Sequence, residues 1–198
     1  MDKQIVLVIG GPGKSGSSTI AKMLADYFQL ELIQGGKAFK EIAKGKEFNS
    51  LEDFYRYSSP SEILKIDKEV DDRLRSIAKR GNVIIDSKVF AALSTIENIQ
   101  CSAKVWIDAS LDVRVKRAFE KEVSGNDGKL INVLKKYEIR RNLSSRYKYD
   151  RRRYKNLYGI DYDHQEKYND LVIDNSDQSP DQTFNLIIKF LKDAGIKK

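Results

Sequence analysis

The sequence has 198 residues, of which 40% are hydrophobic and 33% charged, a composition typical of one soluble globular domain rather than two large ones. No apolar run approaches the roughly 20 residues of a membrane-spanning helix, and the run at residues 5–9 is too short for a signal-peptide core. The single cysteine cannot form an intrachain disulfide, so we expect a cytoplasmic protein, and the net charge of +7 favours polyanionic partners such as nucleotides or nucleic acids.

Short β-branched runs alternate with helical patterns along the chain. The runs QIVLVI, NVIID, AKVWID and DLVID predict buried strands at residues 4–9, 82–86, 103–108 and 170–174. Apolar residues at helical spacing predict one helix after Ser18 and another after Pro60. Strands separated by helices imply a parallel sheet flanked by helices, an α/β fold that binds ligands beyond the carboxyl ends of its strands.

A glycine-rich loop follows the first predicted strand. From Gly11 to Ser18 it matches the pattern G-x-x-x-x-G-K-[ST] at every position except the lysine. In this pattern small residues let backbone N–H groups surround a phosphate at a helix N-terminus. Ser17 stands where the pattern has lysine, and Lys14 is the nearest cation. The alternative is therefore a glycine-rich turn that binds no phosphate. The candidate nucleotide-binding residues are Gly11, Gly13, Lys14, Ser15, Gly16, Ser17, Ser18 and Thr19.

Arginines are concentrated in two helical patterns on either side of the glycine-containing break VSGNDGK. Arg114 and Arg117 lie three residues apart before the break, whereas Arg146, Asp150 and Arg153 share one helical face after it. Guanidinium groups suit phosphates, and a carboxylate suits sugar hydroxyls or a base amino group. Two helices joined by a glycine-containing break predict a lid that closes over nucleotides. The alternative is a helix face that is solvated or binds RNA.

From about residue 5 to residue 181 the chain resembles the archaeal-type cytidylate kinases, a family of P-loop nucleoside monophosphate kinases. The likeness is carried by GGKAFKEIAKGKEFNSLEDFYRY, IDKEVDDRL, LDVRVKRAFEKE, RRYKNLYGIDY and YNDLVIDNS, and RYKNLYGID is its most specific part. The resemblance implies a three-layer P-loop NTPase fold in one domain, with a monophosphate-binding segment near 36–80 and a lid near 118–152. It also implies that ATP, with Mg²⁺, donates its γ-phosphoryl group to CMP or dCMP.

These arguments together assign candidate roles to individual residues. Asp86 ends a strand and, with Ser18, is predicted to hold Mg²⁺, although a strand-end aspartate is also a common helix cap. The predicted catalytic cations are Lys14, Arg114, Arg117, Arg146 and Arg153. The predicted monophosphate-binding residues are Lys40, Lys88, Arg146, Asp150 and Arg153.

Departures from the family pattern lie at the phosphates. Ser17 replaces a lysine, Lys37 replaces an aspartate, and Lys40 and Lys88 replace arginines. If Lys14 reaches the outer phosphates of ATP, it supplies the missing charge. If it does not, the chain is a kinase-fold protein that binds nucleotides with weak or lost catalysis. An RNA-associated basic protein is the third hypothesis. The preferred monophosphate and the oligomeric state are left open.

Overall fold

Five parallel strands form the centre of the molecule in a computed structural model that describes residues 4–44, 58–122 and 129–198. The strands lie side by side in the order β2-β3-β1-β4-β5, and each neighbouring pair is parallel. Their bounds are β1 Val6–Gly10, β2 Glu31–Gln34, β3 Val83–Asp86, β4 Ala103–Asp108 and β5 Leu171–Asp174. Because β1 has β3 on one side and β4 on the other, the strand order reverses next to β1, where such sheets open a crevice for ligands.

Helices cover both faces of this sheet. Those of the described residues are α1 Ser17–Phe28, α2 Gly35–Lys44, α3 Pro60–Arg80, α4 Phe90–Ile96, α5 Leu111–Glu122, α6 Lys129–Tyr158 and α7 Pro180–Asp193, with a short 3-10 helix at Gln165–Lys167. The predicted starts at Pro60 and Pro180 are helix starts, since Ser59 and Ser179 each form a reciprocal capping box with the residue three positions on. In the described ranges no helix has the length and apolarity that crossing a bilayer requires.

Alternate residues of β1 pack into two separate cores. Val6 and Val8 contact the side of the sheet covered by α2 and α3. Leu7 and Ile9 contact the opposite side, covered by α1 and α7. A strand buried on both faces is continuously apolar, which is why this part of the sequence does not alternate between apolar and polar residues. The predicted three-layer α/β fold is confirmed.

The sequence prediction located four of these five strands to within two residues at each end. It missed β2, whose four residues ELIQ form a half-buried edge strand. Only two of those residues are apolar, so no β-branched run marks the strand. Most of the predicted lid tip VSGNDGK, and the stretch SLEDFYRY of the family segment, lie outside the described residues.

Candidate active site

The glycine-rich loop connects β1 to α1 at the carboxyl edge of the sheet. Gly16 is the N-cap of α1 and has φ 102°, a left-handed conformation that favours glycine. The cap makes no side-chain hydrogen bond to the first turn of α1. A side chain on Gly11 would collide with the carbonyl oxygen of Ile107 and with the Ser15 hydroxyl. The loop therefore has the conformation and the free helix N-terminus that phosphate binding requires.

Two arginines from α5 hold the loop through its carbonyl oxygens. Arg117 donates to the Ser15 carbonyl at 2.7 Å, and to the side chain and carbonyl of Asn175 at 2.9 Å each. Asn175 donates to the same Ser15 carbonyl at 3.0 Å. Arg114 is buried, lies 3.5 Å from the Gly13 carbonyl and stands over the ring of Tyr147. Both arginines of the predicted pair thus reach the loop, where these contacts brace the backbone.

Lys14 lies at the exposed edge of the loop with φ 69°, which is uncommon for a residue other than glycine. Its ammonium group donates to the Glu122 carboxylate, at the end of α5, over 3.0 Å. The two side chains are 35% and 53% exposed, so the ion pair is weak and a bound polyphosphate can displace it. Ser17, in the lysine position of the pattern, is buried.

Asp86 ends β3 beside the loop. Burial raises the pKa of its carboxyl, while hydrogen bonds from Ser18 and Gln34 and the charge of Lys88 act in the opposite direction. A hydroxyl and a carboxylate are the hard oxygen ligands that Mg²⁺ takes alongside nucleotide phosphates and water. Among the described residues no three His, Cys, Asp or Glu side chains come together as a possible metal cluster. Ser18 and Asp86 remain the candidate Mg²⁺ ligands.

A second group of charges lies where α3 and α6 meet the end of β3. We call Asp67, Lys88, Arg146, Asp150 and Arg153 the charged cluster. Lys88 donates to Asp150 at 2.6 Å, and the guanidinium groups of Arg146 and Arg153 lie 3.6 and 3.5 Å from the other Asp150 oxygen. Arg153 also lies 3.6 Å from Asp67. Of the three residues predicted to share one face of a helix, Arg146 and Arg153 each contact Asp150. Lys40, by contrast, lies exposed on α2.

Asp150 is the centre of the charged cluster and is only 1% exposed. Burial alone would raise its pKa, but the neighbouring Lys88, Arg146 and Arg153 hold the pKa below its ordinary value. The carboxyl is therefore ionised at neutral pH and orients the three cations around it. Guanidinium and ammonium groups bind phosphate, so these three cations are candidates for a phosphate site.

One small cavity joins the glycine-rich loop to the charged cluster. Its wall contains loop residues, members of the charged cluster and two buried or half-buried tyrosines. The lining residues are Pro12, Gly13, Lys88, Arg114, Leu143, Arg146, Tyr147, Asp150 and Tyr162. Tyr162 also packs edge-on against Trp106 and contacts Tyr147 and Tyr154. The rings of Tyr147 and Tyr162 make part of the cavity wall apolar, which disfavours water between the loop and the charged cluster.

Sequence reasoning missed two buried carboxylates on α3, Asp67 and Asp71. Asp71 accepts a hydrogen bond from the Tyr158 hydroxyl, and Asp67 faces Arg153. Burial raises the pKa of each to about 6. Their spacing of four residues, directly beside the apolar stripe at Ile66 and Val70, was the available signal, because carboxylates next to such a stripe are carried into the interior.

Asp71→Asn should make the protein more stable at pH 7.5, by up to about 3 kcal/mol, because a carboxyl whose pKa rises from 3.8 to about 6 on folding opposes folding once it is ionised. Because the folded protein holds the Asp71 proton more tightly than the unfolded chain, the contribution of Asp71 to the free energy of unfolding is most favourable below about pH 4. That contribution is lost as the pH rises through about 6. The advantage of Asp71→Asn should therefore shrink between pH 7 and pH 5. Denaturant unfolding at pH 5, 6 and 7.5 measures it, and an advantage that grows toward pH 5 contradicts this account.

Comparisons with known proteins find sequence similarity over most of the chain. Residues 9–135 match a protein family described as an AAA domain. Cytidylate kinases of Methanopyrus kandleri and Methanocaldococcus jannaschii are each 33% identical to this chain. Each alignment covers 92% of this chain, and the two cover 91% and 95% of the respective relatives. The cytidylate kinase of Pyrococcus horikoshii is 31% identical, over 98% of this chain and 95% of that protein.

Solved structures show the same fold at low identity. Shikimate kinase from Acinetobacter baumannii superimposes with a TM-score of 0.62 at 11% identity, over 99% of this chain and 97% of that one. An uncharacterized protein from Eubacterium ventriosum gives a TM-score of 0.64 at 21% identity, over 96% of this chain and 99% of that one. The fold, the loop and the helix that follows it define a P-loop phosphotransferase. Within that class, the chain belongs to the cytidylate kinase family.

Proposed function

We propose that the protein transfers the γ-phosphoryl group of ATP to CMP or dCMP. The observation that carries this proposal is the cavity whose lining combines the loop residues Pro12 and Gly13 with members of the charged cluster, because a donor and an acceptor of a phosphoryl group must lie next to each other. The relatives named cytidylate kinase supply the substrate class. The reaction joins an oxygen of the monophosphate to the γ-phosphorus and breaks the bond to the bridging oxygen, which leaves with ADP.

On the donor side, the loop from Gly11 to Thr19 supplies backbone N–H groups for the phosphates of ATP, and α1 directs its positive end toward them. Ser18 and Asp86 would hold Mg²⁺, which neutralises phosphate charge when bound. Lys14 supplies the outer-phosphate charge once a polyphosphate displaces Glu122. Arg114 and Arg117 keep the loop in its phosphate-binding conformation through the contacts to Gly13 and Ser15.

On the acceptor side, Arg146, Arg153 and Lys88 bind the monophosphate, and Asp150 orients them. Lys40 adds a further cation from α2. In this proposal, residues 36–80 form the monophosphate-binding segment and residues 118–152 the lid. Phosphoryl transfer needs chiefly positioning and electrostatic stabilisation, which converging cations and a dry aromatic wall supply.

Two observations favour a second candidate, a nucleotide-binding protein of this family with slow turnover. Ser17 is buried at the lysine position, and the nearest cation, Lys14, is paired with Glu122. An RNA-binding helix is less well supported, because four of the six arginines of α6 make ion pairs within the protein. Arg140 pairs with Asp112, and Arg151 pairs with Asp163.

A coupled assay with ATP, Mg²⁺ and each monophosphate in turn tests the proposal. We expect CMP and dCMP to give the highest kcat/KM values. Binding of ATP and CMP with barely measurable turnover would establish the second candidate. Highest turnover with AMP or dTMP would contradict the proposed substrate while leaving the fold assignment intact.

A further inference from the structure

Tyr162 lies a few residues beyond the end of α6 and is only 2% exposed. Gly159, with φ 68°, follows the last residue of the helix and lets the chain turn back on itself. The turn brings the ring of Tyr162 against Trp106 of β4 and against Tyr147 and Tyr154 of α6, with ring centroids 5.3 to 5.6 Å apart. Because neighbours hold the ring on several sides, its hydroxyl has a fixed position.

The hydroxyl of Tyr162 is a buried polar group that forms no hydrogen bond within the described part of the chain. Asp150 does not satisfy it, although the charge of that carboxylate acts on it. Oδ1 of Asp150 also makes no hydrogen bond there, but it lies 3.6 Å from the guanidinium of Arg146 and 3.5 Å from that of Arg153. A buried hydroxyl without a partner costs free energy, so Tyr162 retains a polar group that a ligand can use.

The protonation state of this hydroxyl determines what it can bind. Burial, reinforced by the charge of Asp150, keeps the pKa of Tyr162 well above its ordinary value. The side chain is therefore an uncharged phenol at neutral pH. In that form it donates a hydrogen bond to an acceptor oxygen of a ligand.

Tyr162 forms part of the wall of the cavity between the glycine-rich loop and the charged cluster. The same wall carries three cations, Lys88, Arg114 and Arg146, against one carboxylate, Asp150. Cations together with a protonated hydroxyl favour an anion with several acceptor oxygens, which is the chemistry of a phosphoryl group. The cavity has a volume of about 10 Å³, the room of one water molecule, so a phosphoryl group enters it only when the lid residues of α6 move outward.

We propose that the Tyr162 hydroxyl donates a hydrogen bond to a non-bridging oxygen of the phosphoryl group during its transfer. The inference rests on the proposed function, since it adds one donor to the site where that transfer takes place. Negative charge is spread over the non-bridging oxygens in the transition state, and a donor that is already held in place stabilises this charge without reorganisation. Tyr162 keeps its proton throughout, so the bonds that form and break are those of the phosphoryl transfer itself.

Tyr162→Phe tests this contact because it removes the hydroxyl and keeps the ring that packs against Trp106. We expect kcat with ATP and CMP to fall about 10- to 100-fold, the loss of one hydrogen bond to a charged group, while the KM of each substrate stays within about threefold of wild type. The denaturation midpoint of the substrate-free protein should stay the same or rise, because the hydroxyl bonds to no described protein group. Steady-state kinetics and denaturant unfolding measure the two effects.

Tyr168→Phe is the matched control from the same aromatic cluster. The Tyr168 hydroxyl accepts a hydrogen bond from the Asp161 backbone N–H at 2.9 Å, and Tyr168 does not line the cavity. Its removal should lower the denaturation midpoint and leave kcat within about twofold of wild type. The two substitutions should therefore have opposite effects on stability and turnover, although each deletes one phenolic oxygen.

A binding measurement covers the case of slow turnover. The probe is an analogue in which five phosphates join adenosine to cytidine. Calorimetry should show that Tyr162→Phe binds this analogue about tenfold more weakly than wild type does, and binds CMP alone equally well.

Several outcomes would overturn the contact. A Tyr162→Phe variant that is less stable than wild type, or that fails to fold, identifies a structural hydroxyl satisfied by buried water. Unchanged kcat, or unchanged affinity for the analogue where turnover is slow, also overturns it. A wild type that neither turns over nor binds the analogue overturns both proposals. The expected loss of kcat on a preferred monophosphate other than CMP supports the contact and overturns the proposed acceptor.

Discussion

Replacement of Asp150 by alanine should lower the free energy of unfolding by about 3 to 5 kcal/mol, the largest loss we expect from a single substitution in the site. Asp150 is 1% exposed and contacts Lys88, Arg146 and Arg153. Removal of its carboxylate leaves Lys88, Arg146 and Arg153 close together in a partly desolvated space, where Asp67 lies near Arg153 and Asp86 near Lys88. Denaturant unfolding at pH 7.5 measures the change.

Two control variants separate charge from packing in this prediction. Asp150→Asn keeps the shape of the side chain and should retain most of the loss, because the loss comes from the unpaired cations. Asp161→Ala removes a carboxylate that pairs with His164 and Lys167 at the surface, and should leave the denaturation midpoint close to that of wild type. An Asp150→Asn variant as stable as wild type would contradict the electrostatic explanation.

Lys14→Gln should lower turnover at least tenfold while leaving CMP affinity nearly unchanged. Loss of one charge contact at the transition state of phosphoryl transfer costs about 3 to 4 kcal/mol at most, and Lys14 is the cation of the glycine-rich loop itself. CMP affinity is insensitive because Lys14 contacts Glu122 rather than the charged cluster. Glutamine is the appropriate replacement because it keeps a long side chain at a residue with φ 69°. Steady-state kinetics with both substrates varied measures the effect.

Glu122 and Ser17 provide the matched variants for this experiment. Glu122→Gln frees the Lys14 ammonium and should raise kcat/KM for ATP or leave it unchanged. Ser17→Lys restores the ordinary loop pattern and should rescue Lys14→Gln. Full activity in Lys14→Gln would show that the arginines supply the donor charge without Lys14. A wild type that is nearly inactive until Ser17→Lys is introduced would identify a kinase that has lost its catalytic lysine.

The sheet could be predicted largely from sequence because its signals are local. Runs of β-branched residues mark the strands that are buried on both faces, and glycine spacing marks the loop between β1 and α1. The helical spacing of Arg146, Asp150 and Arg153 likewise predicts that these side chains share a face, and the structure places them in contact. Each of these features depends on residues that are neighbours in the chain.

The features that could not be predicted are contacts between distant segments. Glu122 meets Lys14 across 108 residues, and Arg153 of α6 meets Asp67 of α3 although 86 residues separate them in the sequence. The edge strand β2 forms because β3 lies beside it, although its own residues carry little strand signal. Periodicity describes which face of an element is buried, but it does not identify the side chain that the face will meet.

The hydrogen bonds from Arg117 and Asn175 to the glycine-rich loop bear on the order in which the protein folds during synthesis. Asn175 and Arg117 hold the Ser15 carbonyl, and Asn175 follows Ser15 by 160 residues. A ribosome releases the glycine-rich loop first and Asn175 only 160 residues later. The loop therefore acquires its final support only when β5 has emerged and paired with β4. Chains truncated before Asn175 lack that support, so under the proposed function we expect them to bind ATP more weakly than chains that contain β5.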